Sequence, residues 1–143
     1  MEFIFENQDF DKKDVINMPA TSLAFVGDAF FTLYARTKVL NTQSKSGKFH
    51  KKATELVNAH TQSEFLGKLK SILTEQEEDI VRRARNTYTT SRSKNSGIAD
   101  YKKSTAFEAL LGYLFLTKQF DRLHEILNII FSDWQINKAD VIE

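Results

Sequence analysis

Apolar residues recur at intervals of three and four along most of this chain, and the breaks between those runs divide it into helices. Pro19 suits the first turn of a helix running to about Leu40, with Leu23, Phe25, Val26, Phe30, Leu33 and Tyr34 as apolar positions. A polar stretch from Asn41 to Gly47 ends it. The same spacing predicts a helix from about Lys48 to Leu73, with Phe49, Ala53, Leu56, Val57, Phe65, Leu66 and Leu69 inward and a break near Thr61 to Ser63. Thr74 to Glu77 reads as a capping box, and Glu75 to Asp79 set carboxylates at the positive end of the helix it opens. That helix closes on Arg82, Arg83 and Arg85, cations at the negative end. Asn86 to Asp100 is rich in Ser, Thr and Asn and nearly devoid of apolar residues. A loop that long in a small domain is often functional or mobile. Ser104 opens a strongly apolar helix to about Leu116, and an amphipathic helix from about Asp121 to Phe131 precedes a polar tail after Trp134. The expectation is an all-α packing of five or six helices, one domain over residues 1–143 with its core at about 20–132.

Composition narrows the chemistry. With 143 residues the chain is long enough to bury a core without staples, and zero cysteines exclude disulfides, a thiolate nucleophile and thiolate-ligated metals. The acidic start, Met1 to Glu6, has no secretory character, and no apolar run reaches membrane-spanning length. A soluble cytoplasmic protein is expected. The formal net charge of +1 hides segregation. Arg36 to Lys52 carries six Lys/Arg and no acid, while Arg82 to Lys103 carries seven against Asp100 alone. If these segments meet, they form a positive face for a polyanion such as nucleic acid; otherwise they are solvated helix surface.

Two acids stand where acids are costly. Asp28 is the only charge between Pro19 and Tyr34, and Glu108 is the only charge between Ser104 and Leu116. A carboxylate on a core helix must be paired, protonated or bound to a cation. Each also has a glycine close by on its helix, Gly27 and Gly112. Glycine inside a helix costs about 1 kcal/mol against alanine, so a packing reason is expected. A close crossing of the two helices at the glycines would bring the acids to one locus. Two carboxylates with no histidine or cysteine make a hard oxygen site suited to Mg²⁺ or Mn²⁺, of use in phosphodiester hydrolysis. The alternative is that each acid is salt-bridged to a neighbouring Arg or Lys, or caps a helix.

Other patterns fail. Ser46-Gly47-Lys48-Phe49 lacks the earlier glycine and the hydroxyl of a phosphate-binding loop, and His124-Glu125-Ile126-Leu127-Asn128 lacks the second histidine of a zinc protease. His50, His60 and His124 show no ligand spacing; His50 is a candidate RNA contact or plain helix surface. Tyr88 and Tyr101 flank the basic loop, to stack on bases or to pack the loop down.

Assembled, these segments resemble the ribonuclease III endonuclease family, and within it the short Mini-ribonuclease III branch that lacks a double-stranded-RNA-binding domain. Leu23-Ala24-Phe25-Val26-Gly27-Asp28-Ala29 is similar to the family's signature helix. Ser104-Thr105-Ala106-Phe107-Glu108-Ala109-Leu110-Leu111-Gly112-Tyr113 is similar to its second catalytic helix. Phe49 to Ala53, Arg83-Ala84-Arg85-Asn86 and Lys94-Asn95 follow in the family's order. The resemblance implies an all-helical endonuclease working as a homodimer, with Asp28 and Glu108 as catalytic residues that hold Mg²⁺, Mn²⁺ substituting. It also implies a water attacking the scissile phosphate in line to leave 5′-phosphate and 3′-hydroxyl ends. Lys51, Arg83, Arg85, Asn86, Lys94 and Asn95 would contact the RNA, and Phe25 or Phe30 would serve the dimer interface. The implied substrate is double-stranded precursor of 23S ribosomal RNA, with a ribosomal protein as a possible further partner on it. Against the longer members of the family, Ala24 and Thr105 stand where two further acids would be, so waters or the Thr105 hydroxyl would complete the metal shell; Ala84 replaces a usual glycine. The losses keep open a degenerate domain that binds structured RNA without cutting, and a purely structural helical module.

Overall fold

In a computed structural model, which describes residues 2–40, 46–87 and 97–132, every regular element among the described residues is helical. A short 3-10 turn (Glu2–Phe5) precedes α1 (Lys12–Ile16), α2 (Ala20–Val39), α3 (Ser46–Val57), α4 (Ala59–Leu69), α5 (Glu75–Arg85), α6 (Gly97–Leu116) and α7 (Phe120–Ile130). The all-α expectation is met. Helix α6 is the hub. From Ala109 through Leu116 every residue is buried, because α2, α4 and α5 all pack on it and leave no face for water. Helix α3 lies mainly on α2, and α7 against α4 and α6.

The α2–α6 crossing is the closest in the fold. A β-carbon built on Gly27 would sit 1.7 Å from the Glu108 carbonyl oxygen, and one on Gly112 would sit 1.9 Å from that of Leu23. Going up α2 from Leu23 to Phe31 runs down α6 from Gly112 to Phe107, so the helices are antiparallel. Above the crossing Phe31 meets Phe107 edge-on, ring centres 5.0 Å apart, and Phe65 and Phe131 close the cluster. Such pairs add about 0.5–1.5 kcal/mol each beyond their burial.

Pro19 stands at the N-cap of α2, as expected from its fixed φ and missing N–H. The Thr74–Glu77 capping box is formed from both sides. Three boundaries differ from the sequence reading. The Lys48–Leu73 run is two helices, and it divides at Asn58 rather than at Thr61 to Ser63. The Asn58 side-chain oxygen accepts from the Thr61 N–H while its amide donates to the Thr54 and Glu55 carbonyls, ending one helix and starting the next. Helix α6 begins at Gly97, seven residues before Ser104, so the expected Asn86–Asp100 loop is helical over its last residues. There His60 Nδ1 lies 3.2 Å from the Asp100 carboxylate, and the Ser104 and Thr105 hydroxyls donate to the Tyr101 carbonyl. The short α1, capped by Asp11, was unforeseen. Residues 41–45, 88–96 and 133–143, which carry part of the expected polar linker, Tyr88 and the tail after Trp134, lie outside the described residues.

Candidate active site at the crossing of two helices

The crossing that Gly27 and Gly112 permit carries Asp28 and Glu108 with it. Asp28 follows Gly27 on α2, and the Glu108 carbonyl faces Gly27, so the two side chains leave neighbouring backbones on the same side. Their carboxyls lie close enough for Asp28 to act directly on Glu108. Both sit higher in the molecule than their helices suggest. Asp28 is exposed and Glu108 half-buried, a correction to the expectation of two acids inside the core.

The electrostatics of the pair follow from that placement. Burial pushes the Glu108 carboxyl up, the hydrogen bond and charge of Asp28 add to it, and the result is about 9. Burial and the nearby Asp28 thus both favour the protonated form of Glu108. Among the described residues the ion pairs run elsewhere: Asp79 with Arg82 and Arg83, Glu77 with Arg122, Asp9 with Lys118. The salt-bridged alternative for these two acids is not what these residues build. Two carboxyl groups with open solvent on one side fit Mg²⁺, which takes one or two protein oxygens and keeps waters. Among the described residues no third acid or histidine joins the pair. The Thr105 hydroxyl, a possible extra ligand, is turned back to the Tyr101 carbonyl at 3.0 Å, and Ala24 is buried.

The expected RNA contacts divide. Lys51 is exposed on α3, and Arg85 and Asn86 are exposed at the end of α5, with Asn86 its C-cap. Arg83 is half-buried. Its guanidinium donates to the Ile16 carbonyl at 2.6 Å and lies 3.4 Å from Asp79, so it ties α5 to the end of α1. Lys94 and Asn95 lie outside the described residues. The two basic segments approach each other where the C-terminal end of α2, with Arg36 and Lys38, runs antiparallel to the N-terminal end of α6, with Lys102 and Lys103; residues 41–45 and 88–96 of those segments lie outside the described residues. Of the two phenylalanines expected at an interface, Phe25 is 80% exposed beside a shallow apolar hollow lined by Phe10, Met18, Val26 and Leu116. Phe30 instead packs inside its own chain against Phe115 and Tyr34. Leu33 and Leu40, also exposed, extend the same ridge of α2, and the spacing 25, 33, 40 in the sequence was the signal for it.

Known proteins carry the same arrangement of sequence. Residues 21–119 match the Ribonuclease III domain family. The chain is 34% identical over 134 residues to a Mini-ribonuclease 3 of Clostridium tetani, covering 92% of this chain and 89% of that one. It is 38% identical to a Mini-ribonuclease 3 of a Thermoanaerobacter species over 90% and 92% of the two chains. A crystal structure of a protein from Fusobacterium nucleatum superposes with a TM-score of 0.75 at 30% identity, over 83% of this chain and 96% of that one.

Proposed function

This chain belongs to the ribonuclease III family, in its Mini-ribonuclease 3 group, and is an endoribonuclease; on that premise we propose that it cuts double-stranded RNA at the α2–α6 crossing, with Asp28 and Glu108 holding a catalytic Mg²⁺. The observation that carries this reading is the backbone contact at Gly27 and Gly112, which sets Asp28 beside Glu108 with no ion-pair partner for either among the described residues. A divalent cation bound there, Mg²⁺ or Mn²⁺, supplies positive charge to a phosphate oxygen and lowers the pKa of water.

The rest is work for the chain itself. Glu108, half-buried against α2, provides the fixed oxygen, and Asp28 provides the one on the solvent side, from which a phosphodiester approaches. The backbone contact at Gly27 and Gly112 holds those oxygens in register, which is where preorganisation comes from. Hydrolysis breaks the bond from phosphorus to the 3′ oxygen, leaving a 5′-phosphate and a 3′-hydroxyl. Lys51, Arg85 and Asn86, with Lys94 and Asn95, hold the backbone; duplex RNA offers chiefly phosphates, 2′-hydroxyls and shape to such groups. Arg83 acts at one remove, by fixing the end of α5 that carries Arg85. The Phe25 ridge meets its counterpart on a second copy to give the homodimer. The substrate is double-stranded 23S ribosomal RNA precursor, a reading that rests on the family resemblance.

One gel tests the reaction. Duplex RNA incubated with Mg²⁺ should give discrete products that EDTA prevents, and Asp28→Asn should stop cleavage while the fold and salt-dependent RNA binding persist. Salt-dependent binding with no metal-dependent products from the parent chain would instead mean a domain that grips RNA without cutting. Full activity in Asp28→Asn would remove the assigned site.

A further inference from the structure

Seven residues before Glu108 on α6 stands Tyr101, and seven residues are nearly two full turns. Tyr101 and Glu108 therefore share one face of the helix, about 10 Å apart along its axis. The two tyrosines described on this helix differ sharply: Tyr113 is 2% exposed and Tyr101 37%. Among the described residues the Tyr101 hydroxyl has no hydrogen bond and its ring no aromatic neighbour.

The turn that carries it is braced. Ser104 Oγ and Thr105 Oγ1 donate to the Tyr101 carbonyl at 2.8 and 3.0 Å. The neighbouring Asp100 carboxylate lies 3.2 Å from His60 Nδ1 of α4. An aromatic side chain is thus presented to solvent, on a fixed backbone, in line with the carboxyl pair.

The face of an RNA duplex that lies over such a site limits what a tyrosine can do. Its bases are paired and stacked, so a ring has no base to stack on without opening the helix. The wide minor groove displays ribose edges and 2′-hydroxyls, which can both donate and accept. A phenol matches that surface, with an apolar ring for the sugar and a hydroxyl for the 2′-OH. We propose that Tyr101 is a specificity-determining residue that reads the 2′-hydroxyl of a ribose near the scissile phosphate and so favours RNA over DNA strands. This rests on the nuclease reading above, and it adds a substrate contact outside the carboxyl pair.

The test compares the parent with Tyr101→Phe, which removes one hydroxyl at an exposed position and should leave the thermal melt unchanged. Both are assayed for kcat/KM with Mg²⁺ on an all-RNA duplex and on a series in which single nucleotides around the cut carry 2′-deoxyribose. The parent should lose roughly five- to tenfold at one position of the series, as for a single hydrogen bond. Tyr101→Phe should lose a similar factor on the all-RNA duplex and be indifferent to deoxyribose at that position. If the parent cuts and Tyr101→Phe gives the same profile across the series, the assignment of Tyr101 is wrong while the carboxyl site stands. If the parent leaves the all-RNA duplex intact, the nuclease reading falls and takes this inference with it.

Discussion

Replacing Gly27 with alanine tests the physical claim on which the site depends. The added methyl would lie 1.7 Å from the Glu108 carbonyl oxygen, 2.6 Å from its carbon and 2.9 Å from the Gly112 nitrogen, all backbone atoms that cannot rotate aside. Reaching ordinary contact near 3.4 Å requires the two helices to part by more than an ångström along a seam of buried residues. Overpacking in a core costs about 1–3 kcal/mol when side chains can yield, and backbone leaves only the upper end of that range. Alanine returns about 1 kcal/mol of helix propensity, so a net loss of about 2 kcal/mol is expected. For a chain of this size that lowers Tm by roughly 6 °C. A urea melt read by circular dichroism gives the first number and a thermal melt the second. Gly67→Ala is the matched control: its β-carbon would meet nothing within 4 Å on the exposed side of α4, so a gain of about 0.5–1 kcal/mol is expected. Parting the helices also separates Asp28 from Glu108, so Gly27→Ala should lose cleavage at temperatures where it is still folded. A Gly27→Ala protein as stable as its parent would refute the close crossing and the geometry of the site with it.

Glu77 and Arg122 join α5 to α7 through two hydrogen bonds of 3.0 and 2.8 Å, with the Glu77 side chain only 3% exposed. Burial pushes its carboxyl up, but the hydrogen bonds and charge of Arg122 with the Thr74 cap outweigh that and hold it below the usual range. A depressed carboxyl stabilises the fold in full above its unfolded pKa of about 4.3 and loses that contribution as pH falls through the lower folded value. Glu77→Gln should therefore cost about 3 kcal/mol at pH 7 and flatten the acid limb of a stability–pH curve; an unchanged limb would show that the pair is not the acid-sensitive element. Phe25→Glu should turn the proposed dimer into a species of 16.5 kDa by sedimentation, and a parent already at that mass would rule out the homodimer.

Local chemistry made some elements readable and hid others. Pro19, the Thr74–Glu77 box and the cations ending α5 mark helix ends by interactions within a few residues, and those ends stand where they were expected. The start of α6 depends on partners far along the chain. Gly97 to Lys103 carries little apolar pattern, and its first turn meets His60 of α4 through Asp100. The break between α3 and α4 is expected near Thr61 to Ser63 and falls at Asn58 because the apolar spacing continues through Asn58, whose side chain serves two helices at once. Arg83 is the matching case for function. Its place in a basic motif pointed to phosphate, and only the position of the Ile16 carbonyl shows that its guanidinium is engaged within the chain.

The reading of Asp28 as a core acid failed for a reason that bears on the whole molecule. Apolar residues on nearly every face of α2 suggest a core helix, yet Phe25, Leu33 and Leu40 stand exposed along one ridge. Periodicity reports that a face is apolar and is silent on which molecule covers it. What singled out Asp28 was its isolation among apolar residues, and that argument survives its exposure. The glycine beside it explains why. Removing one side chain from each helix lets the backbones touch, and the next residue on α2 and the facing residue on α6 are then forced together at the rim of the contact, dry on one side and wet on the other. Burial on the dry side raises the pKa of Glu108, and the wet side leaves room for a cation. In the proposed homodimer the outward ridge of that helix meets a second copy, so dimer contact and reaction centre would share one rigid element. A change on the ridge should then be felt at the carboxyl pair without touching it.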